Sequence, residues 1–193
     1  IRACACTGDY KNKKSYIIVA DNAHFSVYNA IELLDLIPIY VNIGYNNLGI
    51  AKECDAKSVK ALLEINKEKN IVAALFTSPT YEGVVSDIQL IAKTLHEYDI
   101  PVIVDEAHGA HLTYIEKTTE KYVDLTNTYD MEFPSSAVSL GADIVVQSLH
   151  KTLPSLTQTA LCHLKSKLID EKCLEESLHI FETSSPSYVF MAG

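Results

Sequence analysis

A lysine and an aspartate are the residues of this chain whose placement most plainly suits them to chemistry. Ser148-Leu149-His150-Lys151 follows directly on the apolar run Ala142-Asp143-Ile144-Val145-Val146-Gln147. Val102-Ile103-Val104 ends just as abruptly on Asp105-Glu106-Ala107-His108. Each apolar run reads as a short buried strand, so both polar clusters sit at strand ends. A lysine and a carboxylate so placed suit pyridoxal phosphate (PLP) chemistry. The amine joins the cofactor aldehyde as a Schiff base, and the carboxylate keeps the pyridine nitrogen protonated so that the ring draws in electrons.

The elements that must position these groups alternate along the chain. Strand-like runs are expected at 16–20, 37–41, 72–76, 102–104, 144–146 and 159–164. Helical patterns are expected at about 26–34, after Asp55 and Asp87 as N-caps, and from Lys167 to Phe181, where Leu174, Leu178 and Phe181 mark an apolar stripe. Ile88, Ile91, Leu95 and Tyr98 form another stripe at helical spacing. Strands separated by helices imply right-handed βαβ crossovers, hence an α/β fold: a mostly parallel sheet with helices on both faces. The stretch 114–139 reads as a long, partly irregular excursion from it. No repeat, low-complexity tract or Gly/Ser linker divides the 193 residues, so one domain is expected.

Composition narrows the function classes. The chain is 48% hydrophobic and 21% charged with net charge −9, which offers no basic stripe for nucleic acid. No apolar run approaches the roughly 18 residues of a membrane span. Five scattered cysteines, Cys4, Cys6, Cys54, Cys162 and Cys173, read as free thiols in a reducing cytoplasm. His108 and His111 beside Asp105 and Glu106 lack a further ligand cluster, so no metal site is expected.

In open α/β sheets, ligands bind beyond the carboxyl ends of the strands. Asp21-Asn22-Ala23-His24, Thr77-Ser78-Pro79-Thr80-Tyr81, Asp105 to His111, and Ser148 to Lys151 each follow a strand. Four polar clusters are therefore expected to converge on one edge. A nucleotide-driven motor is a rival reading. Val102-Ile103-Val104-Asp105-Glu106-Ala107-His108 spells a DEAH-type Walker B strand, and Gly8 to Ser15 nearly matches a P-loop. Lys13 stands where the loop's second glycine belongs, and a strand rather than a helix follows Ser15.

The segments Ala20 to Val27, Ser78 to Gly83, Val104 to His111, Gln147 to Leu153 and Glu182 to Tyr188 together resemble the major domain of the bacterial Orn/Lys/Arg decarboxylases. These are fold-type I PLP enzymes related to aspartate aminotransferase. The resemblance implies roles. Lys151 would form the Schiff base, Asp105 would pair with the pyridinium nitrogen and His24 would stack on the ring. Ser148 and His150 would contact the phosphate, and His108 would lie near the ring. Thr183, Ser184 and Ser185 would reach the neighbouring subunit's cofactor in a homodimer or larger oligomer. The implied reaction is decarboxylation of arginine, lysine or ornithine to the amine. A nucleophilic lysine must shed its proton, and a desolvating cleft around Lys151 is expected to favour that loss.

There are departures from the family pattern. Phe25 stands where many relatives carry lysine. The Gly-Ser/Thr-rich phosphate segment and the C-terminal small domain have no counterpart in residues 1–193. The expectation is a fragment of the PLP-binding major domain, inactive by itself. Other fold-type I PLP chemistry (transamination or a lyase reaction) and a non-catalytic scaffold stand as alternatives.

Overall fold

The computed structural model describes residues 1–7, 14–115, 133–182, 185 and 187–191. The near-P-loop at Gly8 to Ser15 lies mostly outside the described residues, as do Thr183, Ser184 and most of the excursion at 114–139. Six strands form one sheet: β1 Ser15–Ala20, β2 Ile37–Val41, β3 Asn70–Thr77, β4 Val102–Asp105, β5 Ile144–Ser148 and β6 Ala160–Leu164. The helices are α1 Arg2–Thr7, α2 Phe25–Leu33, α3 Ala56–Asn66, α4 Ile88–His96, α5 Leu149–Thr152, α6 Glu171–Phe181 and α7 Tyr188–Met191. Strand order is β2-β1-β3-β4-β5-β6. The first five strands run parallel, and β6 turns back antiparallel to β5.

Buried strands alternate their side chains between two layers, and this sheet does so cleanly. Ile18, Ala74, Phe76, Val102, Val104 and Val145 join the α3 and α4 residues Val59, Leu63, Ile88, Ile91 and Leu95 in one core. Ile17, Val19, Ala73, Leu75, Ile103 and Ile144 point the other way, towards Ala3 and Ala5 of α1 and Val27 and Ile31 of α2. Helices therefore cover both faces, as the sequence pattern predicts.

Local chemistry sets the helix starts. Asp55 accepts a hydrogen bond from the Lys57 N–H, and Asp87 accepts one from the Leu90 N–H. Each satisfies a donor that has no partner within its helix. The last amphipathic helix starts later than the sequence suggests: Asp170 caps α6 through the Lys172 N–H. Its stripe is only partly buried, with Leu174 against the core and Phe181 67% exposed.

Strand β1 leads to β2 on one side, and the chain then crosses back to lay β3 on the other side of β1. The carboxyl ends of β1 and β3 thus flank the point where the winding reverses. Open α/β sheets carry their ligand crevice at such a point.

Candidate active site

Period-2 alternation builds the floor of a site. Leu75 and Thr77 of β3, Ile103 and Asp105 of β4, and Ile144, Val146 and Ser148 of β5 all line one cavity of about 810 Å³. They are alternate residues of three adjacent strands, so they share a face. Thr77 is in register with Asp105, and Asp105 with Val146. Asn22 and His24 after β1, together with His108 and Lys151, complete the polar end of the same cavity. It continues as an apolar slot between Val27 and Ala30 of α2 and Leu174 and Leu178 of α6.

Asp105 is half-buried, and its Oδ1 accepts the Ala107 N–H at 3.1 Å. Lys151 lies on the one-turn helix α5, with Nζ 3.2 Å from Nε2 of His108. Burial and the Lys151 cation push the His108 pKa below its ordinary value, with Asp105 pulling in the opposite direction. The neutral ring offers Nε2 as acceptor, and the lysine ammonium donates to it. Tyr81, largely exposed, stands edge-on to His108 with ring centres 5.4 Å apart. Lys151 itself is exposed. The desolvating cleft expected around it is therefore not made by these residues, because α5 is a short turn on the rim of the sheet.

His24 is the N-cap of α2. Its Nδ1 accepts from the Ser26 N–H at 3.3 Å and lies 2.8 Å from the Ser26 hydroxyl. The ring proton is thus on Nε2, and capping fixes the ring at the cavity edge. His24 thus both caps α2 and lines the cavity.

Ser148 lines the cavity, and its side chain makes no capping bond to α5. His150 is not brought to the cavity. Its Nδ1 donates to the Thr159 carbonyl at 3.0 Å, tying α5 to the start of β6. Ser185 is exposed and outside the cavity lining. Thr80 shapes the turn, accepting from the Val84 N–H and donating to Glu82.

The neighbouring carboxylate, Glu106, is only 1% exposed and lies on the opposite side of the sheet. It accepts from the Ser136 hydroxyl and the Ala137 N–H, each at 2.7 Å, and from the Gln147 amide. Gln147 in turn accepts from His163 Nε2 at 3.0 Å. Glu106 is thus a structural anchor holding the loop after β4 to β5, which removes the catalytic carboxylate that a Walker B reading requires. Gly109 is forced by the same packing: a Cβ there would lie 2.5 Å from the Glu106 side chain and 2.6 Å from Pro79.

Two further wall residues, Thr77 and Asn22, belong to the polar clusters expected at this edge, although neither is assigned a role of its own from the sequence. Thr77 Oγ1 and Asn22 Oδ1 are buried and have no hydrogen-bond partner among the described residues. The signal was present: Thr77 ends its strand in step with Asp105, and Asn22 immediately precedes the Ala23-His24 pair.

Comparison with known proteins agrees with this geometry. Residues 5–193 match the family described as Orn/Lys/Arg decarboxylase, major domain. The arginine decarboxylase of Bacillus cereus is 34% identical over 178 residues, 92% of this chain and 35% of that protein. The arginine decarboxylase of Bacillus subtilis is 34% identical over 179 residues, 92% of this chain and 33% of that protein. The solved structure of the constitutive lysine decarboxylase of E. coli superposes with a TM-score of 0.64 at 24% identity, covering 93% of this chain and 24% of that one. The chain spans about a third of the length of the two arginine decarboxylases. Its fold is that of the PLP-dependent transferase-like major domain. A family match over nearly every residue, on a sheet whose carboxyl edge gathers these groups, makes the chain a member of the Orn/Lys/Arg decarboxylase family.

Proposed function

We propose that this chain is the cofactor-binding part of the major domain of a PLP-dependent decarboxylase, which converts arginine, lysine or ornithine to the corresponding amine and CO2 in the full-length protein. One observation carries the reading: Asp105 at the end of β4 and Lys151 on α5, just after β5, wall the same cavity, whose floor is made by alternate residues of β3, β4 and β5. The residues fit the cofactor. Asp105 keeps one oxygen clear of its backbone bond, Lys151 reaches the cavity, and the buried Thr77 and Asn22 atoms lack partners until a polar ligand enters.

When bound, PLP supplies a protonated ring that takes up the electron pair left by departing CO2. The chain's own groups do the rest. Asp105 holds the ring nitrogen's proton in place by its charge. Lys151 must lose a proton before its nitrogen can attack an aldehyde, and neutral His108 Nε2 at 3.2 Å is placed to take it. We assign His24 to the ring face, and Ser148 and His150 to the phosphate. For His150, whose Nδ1 is held by the Thr159 carbonyl, the contact falls to Nε2. We assign Thr183, Ser184 and Ser185 to a contact across a homodimer. Five free thiols and the lack of any membrane-length apolar helix among the described residues support a cytoplasmic enzyme.

The test is borohydride reduction of the full-length protein after incubation with PLP, followed by peptide mapping. A pyridoxyl adduct confined to Lys151 is expected. Lys151→Ala should abolish release of CO2 from all three amino acids. Full turnover by that variant would sink the assignment.

A further inference from the structure

The five cysteines differ in what surrounds them. Cys4 and Cys54 are buried, and burial pushes their thiols up to about 11 and about 12, which leaves them inert. Cys6 is exposed and Cys173 half-buried, and they sit on two helices that pack together, α1 and α6. One contact sets the register of that pair: the Arg2 guanidinium donates to the Ser177 hydroxyl at 3.2 Å. Cys6 lies one turn after Arg2, and Cys173 lies one turn before Ser177. Residues one turn apart share a helix face. The Ser177 hydroxyl spans its turn by donating to the Cys173 carbonyl at 2.6 Å. Cys173 senses both residues of α1: burial first, then Asp170 and Cys6, push its thiol pKa up, while Arg2 opposes them. Antiparallel helices, with Arg2 facing Ser177 and Cys6 facing Cys173, account for both contacts.

Neither thiol lines the cavity, but their helices do, through Arg2 and Ala3 of α1 and Leu174, Ser177 and Leu178 of α6. Helix α6 is lightly held: Leu174 packs against the core, while Ile180 and Phe181 are exposed. Helices in contact lie about 8–10 Å apart, which brings directly facing Cα atoms within the roughly 4.4–6.8 Å that a disulfide spans. We propose that Cys6 and Cys173 are a peroxide-sensing pair, whose reversible disulfide fastens α6 to α1 and stiffens that wall of the cavity. The exposed Cys6 thiolate attacks one oxygen of hydrogen peroxide, the O–O bond breaks, and a sulfenic acid and hydroxide result. The Cys173 thiolate then attacks the Cys6 sulfur, the S–S bond forms, and the S–O bond breaks to release a second hydroxide. The two thiol protons turn both hydroxides into water. The thiols lose two electrons and the peroxide gains them, and a dithiol reductant reverses the change. This inference needs only the two helices and stands apart from the reaction proposed above.

The test treats the full-length protein with hydrogen peroxide, alkylates the remaining thiols and maps peptides by mass spectrometry without reduction. A peptide pair joined through Cys6 and Cys173, two hydrogens lighter than its parts, is expected, and dithiothreitol should separate it. Cys6→Ser and Cys173→Ser should each abolish the link. Hydrogen exchange supplies the second readout. Amides of α6 should exchange more slowly in the oxidised wild type, return to the original rate with dithiothreitol, and stay unchanged by peroxide in either serine variant. Both thiols still open to alkylation after peroxide would overturn the inference. So would Cys6 driven to sulfinic acid without a link, or either cysteine joined to another partner. A Cys6–Cys173 link that leaves α6 exchange as it was would overturn the fastening of the wall.

Discussion

Asp105 and Glu106 are consecutive carboxylates at the end of one strand, yet they fall into opposite worlds. Alternation sends Asp105 to the face with the cavity, where it makes one hydrogen bond to its own loop. It sends Glu106 to the other face, where three donors saturate it and water is excluded. A carboxylate bound by several fixed donors is held as structure. One left with an open oxygen beside a cavity is available to a ligand. The same contrast runs along the whole edge: Gln147 is fully engaged on the Glu106 side, while Thr77 and Asn22 on the Asp105 side wait for partners.

The sharpest way to break this comparison is to mutate each carboxylate and read both stability and activity. Glu106→Ala strands three buried donors and should destabilise the full-length protein by roughly 3–5 kcal/mol. Glu106→Gln also suffers, since its new amide N–H would face either the Ala137 N–H or the two side-chain donors. Asp105→Asn should do the reverse. Asparagine Oδ1 can still accept the Ala107 N–H, so the urea midpoint should change by less than about 0.5 kcal/mol in free-energy terms. Decarboxylation should nonetheless collapse, because a neutral amide cannot hold the ring nitrogen's proton. If Asp105→Asn unfolds the protein while Glu106→Gln leaves it intact, the division of labour between the two faces is wrong.

A second variant sharpens the same contrast from the backbone. Gly109 lies where the loop after β4 is pressed between the Glu106 side chain and Pro79. Gly109→Ala forces one of them aside, and the overpacking should cost about 1–3 kcal/mol. The chemical denaturation midpoint reads this directly, and an unchanged midpoint would show that the loop has slack.

Much of this architecture is legible in the residues themselves. Continuous apolar runs mark the parallel strands, Asp55 and Asp87 mark helix starts, and the lysine and aspartate at strand ends mark the edge where ligands gather. What escapes is information carried by register and rotamer. Nothing local in Asp105-Glu106 says which carboxylate is buried, because that depends on partners at Ser136 and Gln147 supplied by distant segments. The turn of His150 towards the Thr159 carbonyl depends equally on where β6 begins. The stripe on α6 overstates burial, since periodicity shows a face and not what covers it.

The smallest effect concerns pH. His108 has its pKa lowered first by burial and then by the Lys151 cation. The folded protein thus favours the neutral ring more than the unfolded chain does. Its contribution to stability is fully present above the unfolded value of about 6.5. It declines as pH falls through that value to the lower folded one, where like charges would meet at Lys151. Because His108 is only half-buried, the slope should be shallow. Urea midpoints measured from neutral to acidic pH should fall more steeply for wild type than for His108→Gln, which cannot protonate. Parallel curves would mean that Lys151 and His108 do not sense each other in the folded protein, and neutral His108 would lose its place as the acceptor of the lysine proton.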